Sequence, residues 1–319
     1  MDVAGAVPPQ LHPELAALLP RLGELITPPA REVGLDRARG RFSALLAAGL
    51  AGAPAVDTTD IALTEGLTGR VHRPVEAAGA TVVFLHGGGW TVGSVADYDG
   101  LGRRLAERLP AVVLSVEYRR APEHPFPAAV EDAVAAARWA LAHADSLGGD
   151  PGRVAVAGDS GGGNLAAVVC QQLRDARGPQ PVAQLLLYPN VARGGDQPSA
   201  REFGHLPFLS LSDMGWYTRN YVPKGTDLGD PRISPAEGDL AGLPPALVIT
   251  AGVDPLHDSG RSYAEALGSA GGRVEWLDLS DMPHGFAHLV ALAPAAEAAL
   301  EQVLARAAVL LHGDRAVVE

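Results

Sequence analysis

This chain of 319 residues has little that would support redox or polyanion chemistry. It carries one cysteine, Cys170, which excludes an intramolecular disulfide and removes redox compartment as a clue. Set in a helix-favouring apolar stretch, that thiol reads as a small core residue. Lysine also occurs once, at Lys224; the net charge is −12 and no basic cluster stands out. Nucleic acid and anionic membrane are therefore poor partners. No apolar run reaches the length of a membrane span. The start, Met1 to Pro9, lacks the basic and apolar stretches of a secretory signal. These absences predict a soluble, cytoplasmic protein.

The residues that are present point to a large folded unit. Hydrophobic residues make up 47% and charged residues 19%, enough apolar side chain for one sizeable α/β domain with a smaller appended region. Residues 11–25 and 36–50 have helical spacing of leucines, with Pro28 and Pro29 between them. Residues 59–74 read as an early strand pair. From there apolar strands alternate with helices. The strands are Thr81–His86, Ala111–Tyr118, Arg153–Gly158, Gln184–Tyr188, Ala246–Gly252 and Val274–Leu279. The intervening helices are Ala96–Leu109, Ala128–Leu147, Asn164–Ala176 and Ser259–Ala270, and Pro294–Leu311 follows the last strand. Continuously apolar strands separated by helices imply a mostly parallel sheet covered on both faces. Residues 191–244 break this rhythm. They hold Gly/Pro/Asp-rich loops around a short helical patch with Trp216, Tyr217 and Tyr221, and read as a lid joined by the N-terminal helices.

Chemistry enters at Gly158-Asp159-Ser160-Gly161-Gly162, between an apolar strand and an alanine-rich helix. A serine at a tight strand-to-helix turn is pushed clear of the backbone. The glycines at 158 and 162 let neighbouring chain pass, and the helix N-terminus behind offers unpaired N–H groups to a developing oxyanion. The same string surrounds the nucleophile of chymotrypsin-like proteases. That fold is all-β, usually disulfide-bonded, and has its histidine and aspartate before the serine, so it is excluded here.

An activated serine needs a base, an orienter and oxyanion donors. His86-Gly87-Gly88-Gly89-Trp90 follows a strand, and its glycines can turn amides into a cavity; Gly88, Gly89 and Gly161 are the expected donors. His86 is expected to brace that loop. Asp254 lies just past the strand ending at Gly252 and is the expected orienter, whereas Asp258 reads as a cap for the helix beginning near Ser259. His284, between Pro283 and Gly285 on a turn, is the expected base. Of the ten histidines, several, His288 among them, have no motif around them. The order Ser160, Asp254, His284 on a parallel sheet is the α/β-hydrolase arrangement. Trp90, Phe208, Trp216 and Tyr217 are candidate pocket walls and equally candidate core.

With those residues in hand the chain resembles the bacterial hormone-sensitive-lipase-like (family IV) esterases from about residue 60 to the end. His86-Gly87-Gly88-Gly89-Trp90, Gly158 to Gly162, Tyr118 to Ala129, Asp254-Pro255-Leu256 and His284-Gly285-Phe286 carry the resemblance. It implies an α/β-hydrolase fold with a helical cap built from residues 1–55 and 191–244 over a catalytic body of 56–190 and 245–319. It also implies carboxylesterase activity on short to medium acyl chains and no cofactor, with a small-molecule ester as partner. The residue after the nucleophile is usually alanine in that family and is Gly161 here, which keeps the N–H donor but loosens the turn. Two alternatives remain open: a receptor-like member that binds under its lid without hydrolysis, and a deacetylase, lactonase or acyltransferase using the same triad. Oligomeric state, a homodimer included, is left open.

Overall fold

The computed structural model describes residues 7–26, 29–77, 79–192 and 195–313. Residues 1–6, read above for an export signal, lie outside the described residues, as do Pro28 and residues 193–194 of the lid segment. Eight strands form one sheet in the order β1-β2-β4-β3-β5-β6-β7-β8. They are β1 (Asp57–Thr64), β2 (Leu67–Arg73), β3 (Ala80–Leu85), β4 (Ala111–Glu117), β5 (Val154–Asp159), β6 (Gln184–Leu187), β7 (Ala246–Val253) and β8 (Val274–Pro283). The early pair β1/β2 is antiparallel and joins β4 antiparallel; β3 to β8 run parallel.

The central strands β3, β5 and β6 are buried along their whole length, as expected of strands covered on both faces. Alternate residues of each strand feed two separate cores. Val82, Phe84, Ala155 and Ala157 pack with α4 (Asp99–Arg108) and α10 (Pro294–His312). Val83, Val154 and Val156 pack with α5 (Ala128–His143) and α6 (Gly161–Asp175). Helix α9 (His257–Ser269) adds Tyr263 and Leu267 to that second core.

Two groups of short helices lie outside this layering. At the N-terminus are α1 (Pro13–Ile26), α2 (Ala30–Val33) and α3 (Leu35–Gly49). Between β6 and β7 lie α7 (Pro198–Phe203) and α8 (Leu211–Tyr221). Helix α8 begins at Ser210, whose Oγ accepts from the Asp213 N–H at 3.1 Å. Among the described residues no helix is long and apolar enough to cross a membrane.

Two expectations need correction. Strand β8 runs to Pro283 rather than stopping at Leu279, because Val253 of β7 pairs with Pro283 beyond a register shift. Asp258 does not cap α9. Its carboxylate instead accepts the N–H of Ser199 at 2.9 Å, at the start of α7, and so ties the segment after β6 to the body.

Candidate active site

Ser160 is the hinge between β5 and α6. Its φ of 53° and ψ of −117° are unusual for a residue with a side chain. Such a backbone costs on the order of 1–3 kcal/mol and persists only where the surroundings over-determine it. They do so here through close packing. A Cβ on Gly158 would meet the Gly162 carbonyl oxygen at 2.3 Å, and one on Gly162 would meet the Leu85 carbonyl oxygen at 1.9 Å. The Ser160 N–H donates to the Leu187 carbonyl at 2.9 Å. Its side chain makes no cap bond to α6, which leaves the hydroxyl free to turn outward.

The hydroxyl reaches an imidazole: His284 Nε2 is 3.0 Å from Ser160 Oγ. On the far side of the ring, Nδ1 is 2.7 Å from Asp254 Oδ2. Because Val253 and Pro283 are paired, the next residues, Asp254 and His284, leave neighbouring strands side by side. Asp254 is fully buried and His284 nearly so. The second Asp254 oxygen accepts the Leu256 N–H at 2.8 Å, which fixes the carboxylate. A carboxylate only accepts, so Nδ1 bears the proton and Nε2 is left to accept from the serine.

The glycine loop leaves β3 beside the elbow, since Leu85 pairs with Gly158. The Gly87 N–H donates to Asp159 Oδ1 at 2.8 Å. Gly88 and Gly89 have φ of 103° and 56°, and their N–H groups make no hydrogen bond among the described residues. Gly161 is the first residue of α6, where an N–H has no intrahelical acceptor. A methyl placed on Gly161 would stand 3.3 Å from the Gly89 nitrogen, so the loop and elbow amides adjoin. Below them His86 Nδ1 lies 2.8 Å from the Gly87 carbonyl, and the His86 ring stacks on Tyr118 at 4.3 Å. Burial lowers the His86 pKa, which favours a neutral ring under the loop.

These groups open onto a cavity of about 160 Å³ bordered by Ser160, His284, Gly88, Gly89 and Gly161. Its remaining walls are mostly apolar. Phe42 and Leu45 come from α3, Phe208 and Met214 from the segment after β6, and Leu256 and Leu289 from the body.

A family profile described as alpha/beta hydrolase fold matches residues 82–288, which span the glycine loop, the elbow and both partners of the serine. The chain belongs to that family, in its hormone-sensitive-lipase-like branch. The carboxylic ester hydrolase LipN of Mycobacterium tuberculosis is 46% identical over 261 residues, covering 78% of this chain and 69% of that protein. The ethyl acetate hydrolase of Pseudomonas putida is 35% identical over 312 residues, covering 92% and 97%. The solved structure of a hyperthermophilic esterase from Pyrobaculum calidifontis superposes with a TM-score of 0.88 at 38% identity, covering 97% of this chain and 99% of that one.

In this hydrolase the candidate wall residues divide. Tyr217 and Phe208 border the cavity, and the Tyr217 ring lies against Gly89, where a Cβ would meet it at 2.3 Å. Trp90 borders it too, while its ring stacks on Tyr221 at 4.3 Å and is 97% shielded (3% exposed), so it is wall and core at once. Trp216 is not among the cavity's residues; it sits half-buried on α8 with its ring steeply inclined to that of Tyr217, 5.2 Å between centroids. Successive residues on a helix point about 100° apart, so Trp216 and Tyr217 cannot both face the same cavity squarely.

Sequence reading passed over two groups. Asp159 is fully buried beside Ser160, and His288, which no motif marks, places Nε2 3.0 Å from Asp159 Oδ2. A carboxylate at the end of an otherwise apolar strand was the available signal, because a buried charge needs donors.

Proposed function

We propose that this member of the hormone-sensitive-lipase-like branch is a serine carboxylesterase that cleaves short- to medium-chain acyl esters through an acyl-enzyme. The observation that carries the reading is the relay of 3.0 Å and 2.7 Å from Ser160 through His284 to Asp254, opening on a mostly apolar cavity. Ser160 attacks the ester carbonyl while His284 Nε2 takes its proton. Asp254 holds the ring in the tautomer this needs and stabilises the imidazolium that forms. The amides of Gly88, Gly89 and Gly161 receive the oxyanion; losing one such donor typically costs about 3 kcal/mol of transition-state stabilisation. His284 then gives its proton to the leaving alcohol. Water, activated by the same nitrogen, attacks the acyl-enzyme and frees the acid.

Helices α1 to α3 and residues 191–244 act as the cap, and residues 56–190 and 245–319 as the catalytic body. The apolar walls that both cap segments supply favour an acyl chain over a charged group. The test is turnover of p-nitrophenyl esters of increasing chain length by the natural chain and by Ser160→Ala, together with stoichiometric labelling by an aryl phosphonate. Wild-type turnover favouring short chains, with a loss of roughly 10³-fold or more in the variant, is expected. Near-normal turnover by Ser160→Ala, or phosphonate on another residue, would overturn the assignment.

A further inference from the structure

Beneath the catalytic groups lies a second carboxylate–imidazole pair that the mechanism above does not use. Asp159 is fully buried. A charge so placed is stable only if its oxygens are bonded. Oδ1 accepts the Gly87 N–H at 2.8 Å. Oδ2 is approached by the Tyr98 hydroxyl at 3.1 Å and by His288 Nε2 at 3.0 Å. Since the carboxylate only accepts, His288 Nε2 carries a proton toward it. Among the described residues, the Gly87 N–H, the Tyr98 hydroxyl and His288 Nε2 are the donors that hold it.

The places of the bonded residues in the chain give the cluster its meaning. Asp159 immediately precedes Ser160. Gly87 immediately precedes the two loop amides assigned to the oxyanion. His288 closes the short helical turn Phe286–His288, four residues after His284. One carboxylate therefore joins the three loops that bring nucleophile, oxyanion donors and base together. The His288 ring is wedged in place: Phe42 of α3 meets it edge-on at 6.0 Å, and Tyr98 does so at 5.2 Å. Its proton-bearing nitrogen is engaged with Asp159, so His288 is not a second base for Ser160.

We infer that His288 is a positioning residue for ester hydrolysis: by donating to Asp159 it holds the Gly87 turn, and with it the Gly88 and Gly89 amides, in register with Ser160 and His284. The inference rests on the triad reading of the site. It acts where charge develops, so it bears on the chemical step rather than on substrate binding.

The test compares His288→Leu, which removes the donor at similar volume, with His288→Gln, whose terminal amide N–H reaches a similar position. Both are assayed on p-nitrophenyl butyrate beside the wild-type protein, with melting temperatures recorded. His288→Leu is expected to lower kcat by about 10- to 100-fold with KM within about threefold, the scale of weakening an oxyanion donor. His288→Gln is expected to recover to within about fivefold of wild-type kcat. Equal kcat in the two variants, an unchanged kcat in His288→Leu, or a rise confined to KM would each overturn the role. Should the leucine variant fail to fold, His288→Asn, too short to reach Asp159, takes its place; wild-type kcat there overturns the role equally. A wild-type protein inert on every ester would instead sink the triad reading, and this role with it.

Discussion

Helices α6 and α8 border the same cavity, yet they are packed on different terms. In α6 every residue from Gly161 to Gln171 is buried, while in α8 only Tyr221 is. The floor of the cavity is thus set by backbone meeting backbone: Gly158, Gly162 and the β3 end approach so closely that no side chain fits. The roof is held by a few side chains. Arg39 of α3 donates to the Thr91 and Ala121 carbonyls at 3.0 and 3.1 Å and forks onto Glu123 at 2.7 and 2.8 Å. The Tyr217 ring rests on Gly89. A floor of this kind can hold Ser160 in a strained conformation, because relaxing it would move two strands. A roof of this kind can adjust.

Breaking the floor should have the largest effect. Gly162→Ala would bring a methyl to 1.9 Å from the Leu85 oxygen and 2.6 Å from the His86 oxygen, both backbone atoms. We expect a loss of at least about 3 kcal/mol, read as a large drop in melting temperature. A wild-type Tm would show the floor to be softer than its packing implies.

Acid sensitivity should also belong to the body. His72 is buried under α4, and burial lowers its pKa to about 4. In the unfolded chain a histidine titrates near 6.5, so between those values the unfolded state binds the proton more readily. Stability therefore falls as pH drops through that window, by up to about 3 kcal/mol from this one group. Urea unfolding of His72→Gln from pH 7 to 4 should show a shallower loss than wild type, with His86, lowered in the same direction, retaining a share. An unchanged slope would place the acid sensitivity elsewhere.

At the roof, Tyr217→Ala removes the ring over Gly89 and leaves the sheet untouched. We expect kcat/KM for short esters to fall roughly 5- to 20-fold, from about 1–2 kcal/mol of lost apolar contact, with little change in Tm. A Tm loss as large as that of Gly162→Ala would erase the distinction between floor and roof. The smallest effect is expected at their junction. Gly161→Ala puts a methyl 3.3 Å from the Gly89 nitrogen and 3.4 Å from Trp90 Cε2, contacts that shifts of a few tenths of an ångström relieve. Its kcat should stay within about threefold of wild type; a loss beyond about tenfold would mean that the amide cradle tolerates no such shift.

The parts of the site that can be read from the chain are those written locally. Glycines flanking Ser160, the glycine run after β3, and the turn around His284 each mark a backbone feature within a few residues. The alternation of apolar strands with helices likewise marks the parallel sheet, and an early strand pair is legible ahead of it; that this pair runs antiparallel is seen only in the structure. What escaped local reading depends on partners far along the chain. Asp258 looked like a cap because it stands near a helix start, but its partner is Ser199, 59 residues away. Trp216 and Tyr217 are adjacent in sequence, and the helix phase of α8 separates them. His288 has no motif because its partner, Asp159, is supplied by a different strand.

Composition and short-range pattern were enough to determine a buried parallel sheet with a serine thrust out at one strand end, since backbone geometry and hydrophobic period are properties of neighbouring residues. Which carboxylate faces which imidazole, how the roof closes the cavity, and what holds Asp159 were decided only when strand order set β3, β5, β6, β7 and β8 side by side. Hydrogen bonds act over about 3 Å, and a linear chain does not state which of its distant residues will come that close.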